Sequence, residues 1–228
     1  MQNIPRMILI LILLPFSTVA ESEAVWAGDA KLAIPLPEGF HKASQADLGD
    51  ANSPSMPTKV LAIYIPDENP KNDEYGMERY IDIQVPKLVM SKSISHKEFA
   101  SMKRSIEDMT EQELQLHKNN AEVIAQKALD KIQEDEPESL KLHLGEIRKV
   151  GIFTKGNNHI GFSILMRVDA SMESSNKSAI LVQSQIIQFI KDELITLNST
   201  SEYRSSDDLI WSHQVLKNWR ESFVEANQ

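Results

Sequence analysis

The stretch "LKLHLGEIRKVGIFTKGNNHIGFSILMRVD", residues 140–169, decides the fold class. Two runs rich in Ile, Val, Leu and Phe, 140–155 and 159–169, flank Gly156-Asn157-Asn158. Residues that tolerate a positive φ occupy the turn and branched or aromatic ones the arms, which is the pattern of a hairpin. It returns at once: "SAILVQSQIIQFI" (178–190) and "ELITLNS" (193–199) flank Lys191-Asp192. Strands joined so tightly pair antiparallel, because a parallel neighbour needs a crossover long enough for a helix.

Toward the N-terminus the same reading gives three more strands. "TKVLAIYIP" (58–66) is one, and "RYIDIQVPKLV" (79–89) is another. In the second, Ile81, Ile83 and Val85 share one face while Tyr80, Asp82 and Gln84 share the other. "KLAIPLPEGF" (31–40) reads as a short strand interrupted at Pro35, which cannot donate to a ladder, followed by a turn that returns Phe40 to the body. "SQADLGDANSPSMP" (44–57) is polar and turn-rich, hence a surface loop, and "DENPKNDEYG" (67–76) is an acidic connection.

At "SISHKEF" the period changes from two to between three and four. Ser95 and Glu98 have capping-box spacing, and Phe99, Met102, Ile106 and Met109 follow as one apolar stripe. Thr110 with Glu113 repeats the box, so the helix breaks and restarts there. Leu114, Ala121, Ile124, Ala125, Ala128 and Ile132 line the second stripe, and "EDEP" (134–137) ends it. Strands, helices, strands and a closing helix make an α+β chain. The expectation is one domain, a largely antiparallel sheet of about six or seven strands packed by helices, over residues 31–228.

The chain opens on "MQNIPRMILILILLPFSTVA". Arg6 precedes an apolar run that Pro15 breaks, and Thr18 and Ala20 place small residues at minus three and minus one. This is the layout of a cleavable export signal over residues 1–20, with the cut between Ala20 and Glu21 or, as a second site, after Ala24. Ten residues, Met7–Phe16, would span roughly 15 Å as a helix, about half a hydrocarbon core, so the expectation is export rather than stable membrane insertion. Residues 21–30 read as a tether.

Losing residues 1–20 removes one base, Arg6, and moves the formal charge from −9 to −10. An acidic chain repels phosphate backbones and anionic lipid heads, which argues against nucleic-acid partners. There are no cysteines, which closes disulfides, thiolate catalysis, zinc–thiolate sites and a lipid-anchored cysteine. A secreted domain without disulfides, stable through its core alone, points to a bacterial envelope: periplasmic or secreted.

No glycine-flanked serine, paired-histidine zinc motif, phosphate loop or dinucleotide fingerprint occurs. His41, His96, His117, His143, His159 and His213 form no pair at ligand spacing. Met90, His96, Met102 and Met109 would suit copper(I), but the two later methionines complete the helix stripe. Asp67, Glu68, Asp73 and Glu74, and Glu134, Asp135, Glu136 and Glu138, match no calcium loop and read as solvated faces. No catalytic residue, cofactor or metal is assigned.

The tail "SSDDLIWSHQVLKNWRESFVEAN" (205–227) holds two of the three tryptophans. At about 100° per residue, Leu209, Val215, Leu216, Trp219, Phe223 and Ala226 fall on one side, with Gln214, Asn218, Glu221 and Glu225 opposite. Asp207 and Asp208 suit the free N–H groups of the helix start. Trp219 therefore reads as core, and Trp211, at the stripe's edge, with Ile210 outside it, is the pair left to meet a partner.

"IPLPEGF" together with "DLIWSHQVLKNWRESFVEAN" after a final hairpin resembles a group of uncharacterised secreted bacterial proteins, whose layout is similar to the Mog1/PsbP-like α/β/α sandwich. Such relatives often carry a glycine in the last hairpin turn, where this chain has Lys191-Asp192. The resemblance implies an envelope module and supplies no catalytic motif. The leading expectation is a non-enzymatic exported protein that binds an envelope partner or assists assembly. A carrier of a small apolar ligand between sheet and helices, and a carboxylate-dependent hydrolase, are the alternatives.

Overall fold

The computed structural model describes residues 22–43, 57–68, 79–90, 93–132, 141–172 and 175–228. The signal, its Ala20–Glu21 cleavage point, most of both expected loops and "EDEP" lie outside them. The described elements are β1 (Ser22–Ala27), β2 (Ala30–Pro35), β3 (Phe40–Lys42), β4 (Thr58–Pro66), β5 (Arg79–Pro86), α1 (His96–Asp108), α2 (Glu111–Ile132), β6 (Lys141–Gly156), β7 (His159–Met172), β8 (Ser175–Ile190), β9 (Glu193–Glu202) and α3 (Ser206–Glu225). Seven strands form one sheet in the order β3-β4-β5-β9-β8-β7-β6, with antiparallel neighbours throughout. The chain is a single α+β domain, as expected.

The tether expected over 21–30 is corrected by the structure. From Ser22 it is a strand: β1 and β2 pair antiparallel around Gly28-Asp29. Gly28 takes φ +58°, and a Cβ there would collide with the Glu193 carboxylate. The Asp29 N–H donates to Glu193 Oε1 at 3.2 Å, pinning the turn to the sheet. Ala27 and Leu32 are fully buried, so the hairpin is part of the core.

Alternation along the strands sorts the layers. Ile195 and Leu197 of β9, Ile81 and Ile83 of β5 and Ile186 of β8 join Leu216, Trp219 and Phe223 of α3 in the main cluster. Leu194 and Phe189, on the opposite face, meet Phe99 of α1. Helices therefore cover both faces: α3 with the β1–β2 hairpin on one, α1 and α2 on the other. The tail of α3 is tied to β2 by backbone-like bonds. Asn227 accepts from the Ala33 N–H at 2.9 Å and donates to its carbonyl at 2.7 Å, while Trp219 Nε1 donates to Pro35 O at 3.0 Å.

Both capping boxes form as read. Ser95 Oγ accepts from the Glu98 N–H and Thr110 Oγ1 from the Glu113 N–H, each at 3.3 Å, and each glutamate returns the bond at 2.8 Å. The break at Met109-Thr110 is held from the sheet, where Lys149 Nζ donates to the Ile106, Glu107 and Met109 carbonyls. Several strand ends differ from the expectation. β5 stops at Pro86, where the ladder loses its donor, and turns carry the chain to Met90. β7 runs to Met172 and β8 starts at Ser175 because these ends pair with each other, and β9 runs to Glu202 opposite Leu181 of β8.

At the last hairpin Lys191 and Asp192 adopt φ +50° and +62° themselves. That supplies the left-handed pair a two-residue turn requires, and the register runs unbroken from Ile190↔Glu193 to Leu181↔Glu202.

Candidate functional site

The N-terminal turn of α3 sets a half-buried tryptophan beside β3 and β5. Ser205 caps the helix, and the Asp208 carboxylate closes the box by accepting from the Ser205 N–H at 2.9 Å. It also accepts from the Arg204 N–H at 2.8 Å and from Arg79 Nη2 at 2.9 Å. Burial alone would raise the Asp208 carboxyl. The Arg204 N–H, the Arg79 guanidinium and the Ser205 N–H outweigh it and hold it below the usual range. Arg79 is thereby fixed over the Trp211 ring, 4.7 Å from its centroid, and Phe40 stacks at 6.5 Å and 28°.

Trp211 is thus half-buried and braced on two sides, and Ile210 beside it is 58% exposed. Trp211, Phe40, Pro66 and Arg79 wall a groove of about 430 Å³ whose rim carries Glu38, Asp67 and Glu68. The sequence singled out Trp211 and Ile210. It missed Arg79 and Phe40, since a lone arginine at a strand start has no spacing signal; only the turn returning Phe40 to the body hinted at its place.

The rest of the tail differs from the wheel in one respect. Leu216, Trp219 and Phe223 are buried, but Ala226 is exposed, and Asp208 and Ser212 continue the buried stripe instead. Ser212 Oγ bonds Ser199 Oγ at 2.9 Å, so a hydroxyl pair replaces an apolar contact there.

Ser163 Oγ lies 2.7 Å from His213 Nε2, the pairing of a nucleophile with a base. Ser163 is fully buried, however, and also bonds Ser184 Oγ at 2.7 Å. His213 is stacked flat on Phe153 at 4.1 Å, and burial followed by Lys217 pushes its pKa down. The hydroxyl has no exposed surface, and the group satisfies polar atoms under α3.

On the opposite face Asp82 is 4% exposed and centres a chain of carboxamides. Asn198 Nδ2 donates to its Oδ1 at 2.8 Å and Gln84 Nε2 at 2.6 Å, and Gln185 Nε2 donates to Asn198 Oδ1 at 3.0 Å. Burial pushes the carboxyl up to about 6 against the lowering effect of both bonds. Beside it the buried Tyr80 hydroxyl is also raised, by burial and then by Asp82.

Among the described histidines, His41 pairs with Asp67 at 2.9 Å, His143 with Glu122 at 2.6 Å, and His96 stands edge-on to Phe189 at 4.8 Å. His159 touches Thr154 at 3.1 Å, and burial with Arg220 and Lys103 pushes its pKa down to about 4. Met90 packs on the main cluster and Met102 on the α1 cluster. No three His, Asp or Glu side chains among the described residues converge at metal-holding distance.

No protein-family model matches the chain, and no curated protein does. Among solved structures, the Saccharomyces cerevisiae Ran-binding protein Mog1p is similar at 10% identity, over 91% of this chain and 94% of its own, with a TM-score of 0.34.

Proposed function

We propose that the chain is an exported, non-enzymatic envelope module that binds a protein partner through the Trp211 groove. The observation that carries this reading is Trp211 itself: a ring braced by Arg79 and Phe40, with Ile210 exposed beside it. Tryptophan and arginine dominate binding energy where they are already held in place, because little side-chain freedom remains to be lost on association. The rim carboxylates Glu38, Asp67 and Glu68 and the acidic chain favour a partner segment bearing basic residues beside an apolar anchor. The partner is therefore sought in the bacterial periplasm or beyond it. No helix among the described residues is long and apolar enough to cross a membrane.

Two measurements test the reading. Envelope proteins captured by the wild-type chain are compared with those captured by Trp211→Ala and Ile210→Asp variants of unchanged melting temperature. A partner lost with either variant, and released by raised salt, supports the groove; identical capture by all three overturns it. Mass spectrometry of the exported chain should find an N-terminus near Glu21, and an intact Met1 in the membrane fraction would overturn export.

A further inference from the structure

A second cavity, of about 570 Å³, lies between the β1–β2 hairpin and the β3–β4 edge of the sheet. It shares no lining residue with the Trp211 groove. Ile34, the Tyr64 ring and Leu36, 39% exposed, give it apolar surface, and Ser22, Glu23, His41 and Lys42 line the rest. Its mouth is held by the Lys42–Glu23 ion pair, which ties β3 to β1. His41, the remaining basic group there, is engaged by Asp67.

Tyr64 gives this cavity its chemistry. The residue is 2% exposed and its ring stands edge-on to Trp219 at 5.4 Å and 82°. Its hydroxyl makes no hydrogen bond among the described residues. Tyr64 lines the cavity. Burial, then Glu23, pushes its pKa up to about 12, so it keeps its proton and stands as a donor. A donor that lines a cavity and is left unsatisfied by its own chain calls for an acceptor from outside.

We propose that this cavity binds a small, uncharged, largely apolar molecule carrying one hydrogen-bond acceptor, with the Tyr64 hydroxyl donating to it. The volume falls within the ordinary range for small-molecule sites, and an apolar patch, here Ile34, Leu36 and the Tyr64 ring, beside a few polar groups is a usual composition for them. Charge is excluded on both sides. An anion at the floor would meet the Glu23 field that already raises Tyr64. A charged head at the mouth would have to break the Lys42–Glu23 pair. The site lies under the β1–β2 hairpin and not between the sheet and the helices, where the carrier alternative would place a ligand.

The test uses Nile red, an uncharged apolar dye with a ring carbonyl, on the purified chain. Saturable, blue-shifted fluorescence at one dye per chain is expected. Tyr64→Phe removes only the unpartnered hydroxyl, so the fold should persist while affinity falls about tenfold, the weight of one good hydrogen bond. Leu36→Glu, at a half-exposed wall, should abolish the saturable phase. The anionic dye anilinonaphthalene sulfonate should bind more weakly than Nile red. No saturable binding, or equal binding by wild type and both variants, overturns the proposal. So does tighter binding of the anionic dye that is lost in Lys42→Ala. None of these outcomes touches the Trp211 groove, whose variants should bind Nile red as the wild type does.

Discussion

The two faces of the central strands differ more than their alternation suggests. Beneath α3, β5 and β9 present Ile81, Ile83, Val85, Ile195 and Leu197, all fully buried in apolar surroundings. From the same strands the other face presents Asp82, Thr196, Asn198 and Thr200, which are also buried. An antiparallel strand with polar residues on one face ordinarily turns that face to water. Here both faces are withdrawn from it, so around Asp82 the polar face depends on its groups bonding one another, while at its Leu194 end it packs on Phe99 of α1. One face is stabilised by area and the other by satisfied hydrogen bonds, and the two should fail in different ways.

The sharpest break of the apolar face is Trp219→Ala. Its ring sits in the main cluster against Tyr64, and its N–H serves Pro35 O. Loss of a buried aromatic should cost roughly 3–5 kcal/mol and leave an orphan carbonyl on β2. Thermal unfolding would show it, and an unchanged melting temperature would contradict this packing.

The polar face should instead respond to pH. The Asp82 carboxyl is raised in the folded chain to about 6 from an ordinary 3.8. A raised carboxyl binds its proton more tightly when folded. Its contribution to stability is therefore fully present below about pH 4 and lost as pH rises through about 6. A shift of about two units corresponds to about 3 kcal/mol at most. Asp82→Asn keeps an acceptor for Asn198 and Gln84 and cannot ionise, so the difference in stability between variant and wild type should open across this window. Glu193, raised mainly by burial, tilts the wild-type curve the same way, which is why the comparison is made against Asp82→Asn. Parallel curves from pH 4 to pH 7 would show that Asp82 does not ionise under protest.

The hairpin that joins β8 to β9 should be indifferent to either face. Lys191 and Asp192 hold left-handed backbone without being glycine. Lys191→Gly relieves one of them and should raise stability by about 1 kcal/mol, equally at pH 4 and pH 7. A pH-dependent gain would tie the turn to the Asp82 network and blur the distinction.

Legibility followed the same division. Periods of two and of about 3.6 located both long hairpins, the two capping boxes and the apolar face of β5. They also separated Trp219 from Trp211. What escaped depended on contacts between distant segments. Ser22–Ala27 looked like a tether because its burial comes from α3 and Glu193, far along the chain; Gly28-Asp29 between two alternating runs was the available sign. The polar residues Asn198–Ser201 looked like the end of a strand, because serine and threonine reveal their partners only once β8 and α3 lie over them. Tyr64 looked like one more strand residue, since an unpartnered hydroxyl leaves no trace in a sequence.

The smallest expected effect lies at the far end of the helix that holds Trp219. Ile210 is exposed and outside the stripe, so Ile210→Asp should change stability by no more than about 0.5 kcal/mol. Trp211 packs against the main cluster from its edge, which places Trp211→Ala between Ile210→Asp and Trp219→Ala. Its loss would also release Arg79 from the ring, although the bond to Asp208 survives and keeps the cap closed. Unfolding of all three variants orders the helix from core to surface. If Ile210→Asp costs as much as Trp219→Ala, the groove is packed interior and cannot receive a partner. If it costs nothing, any binding it abolishes is a property of the surface itself.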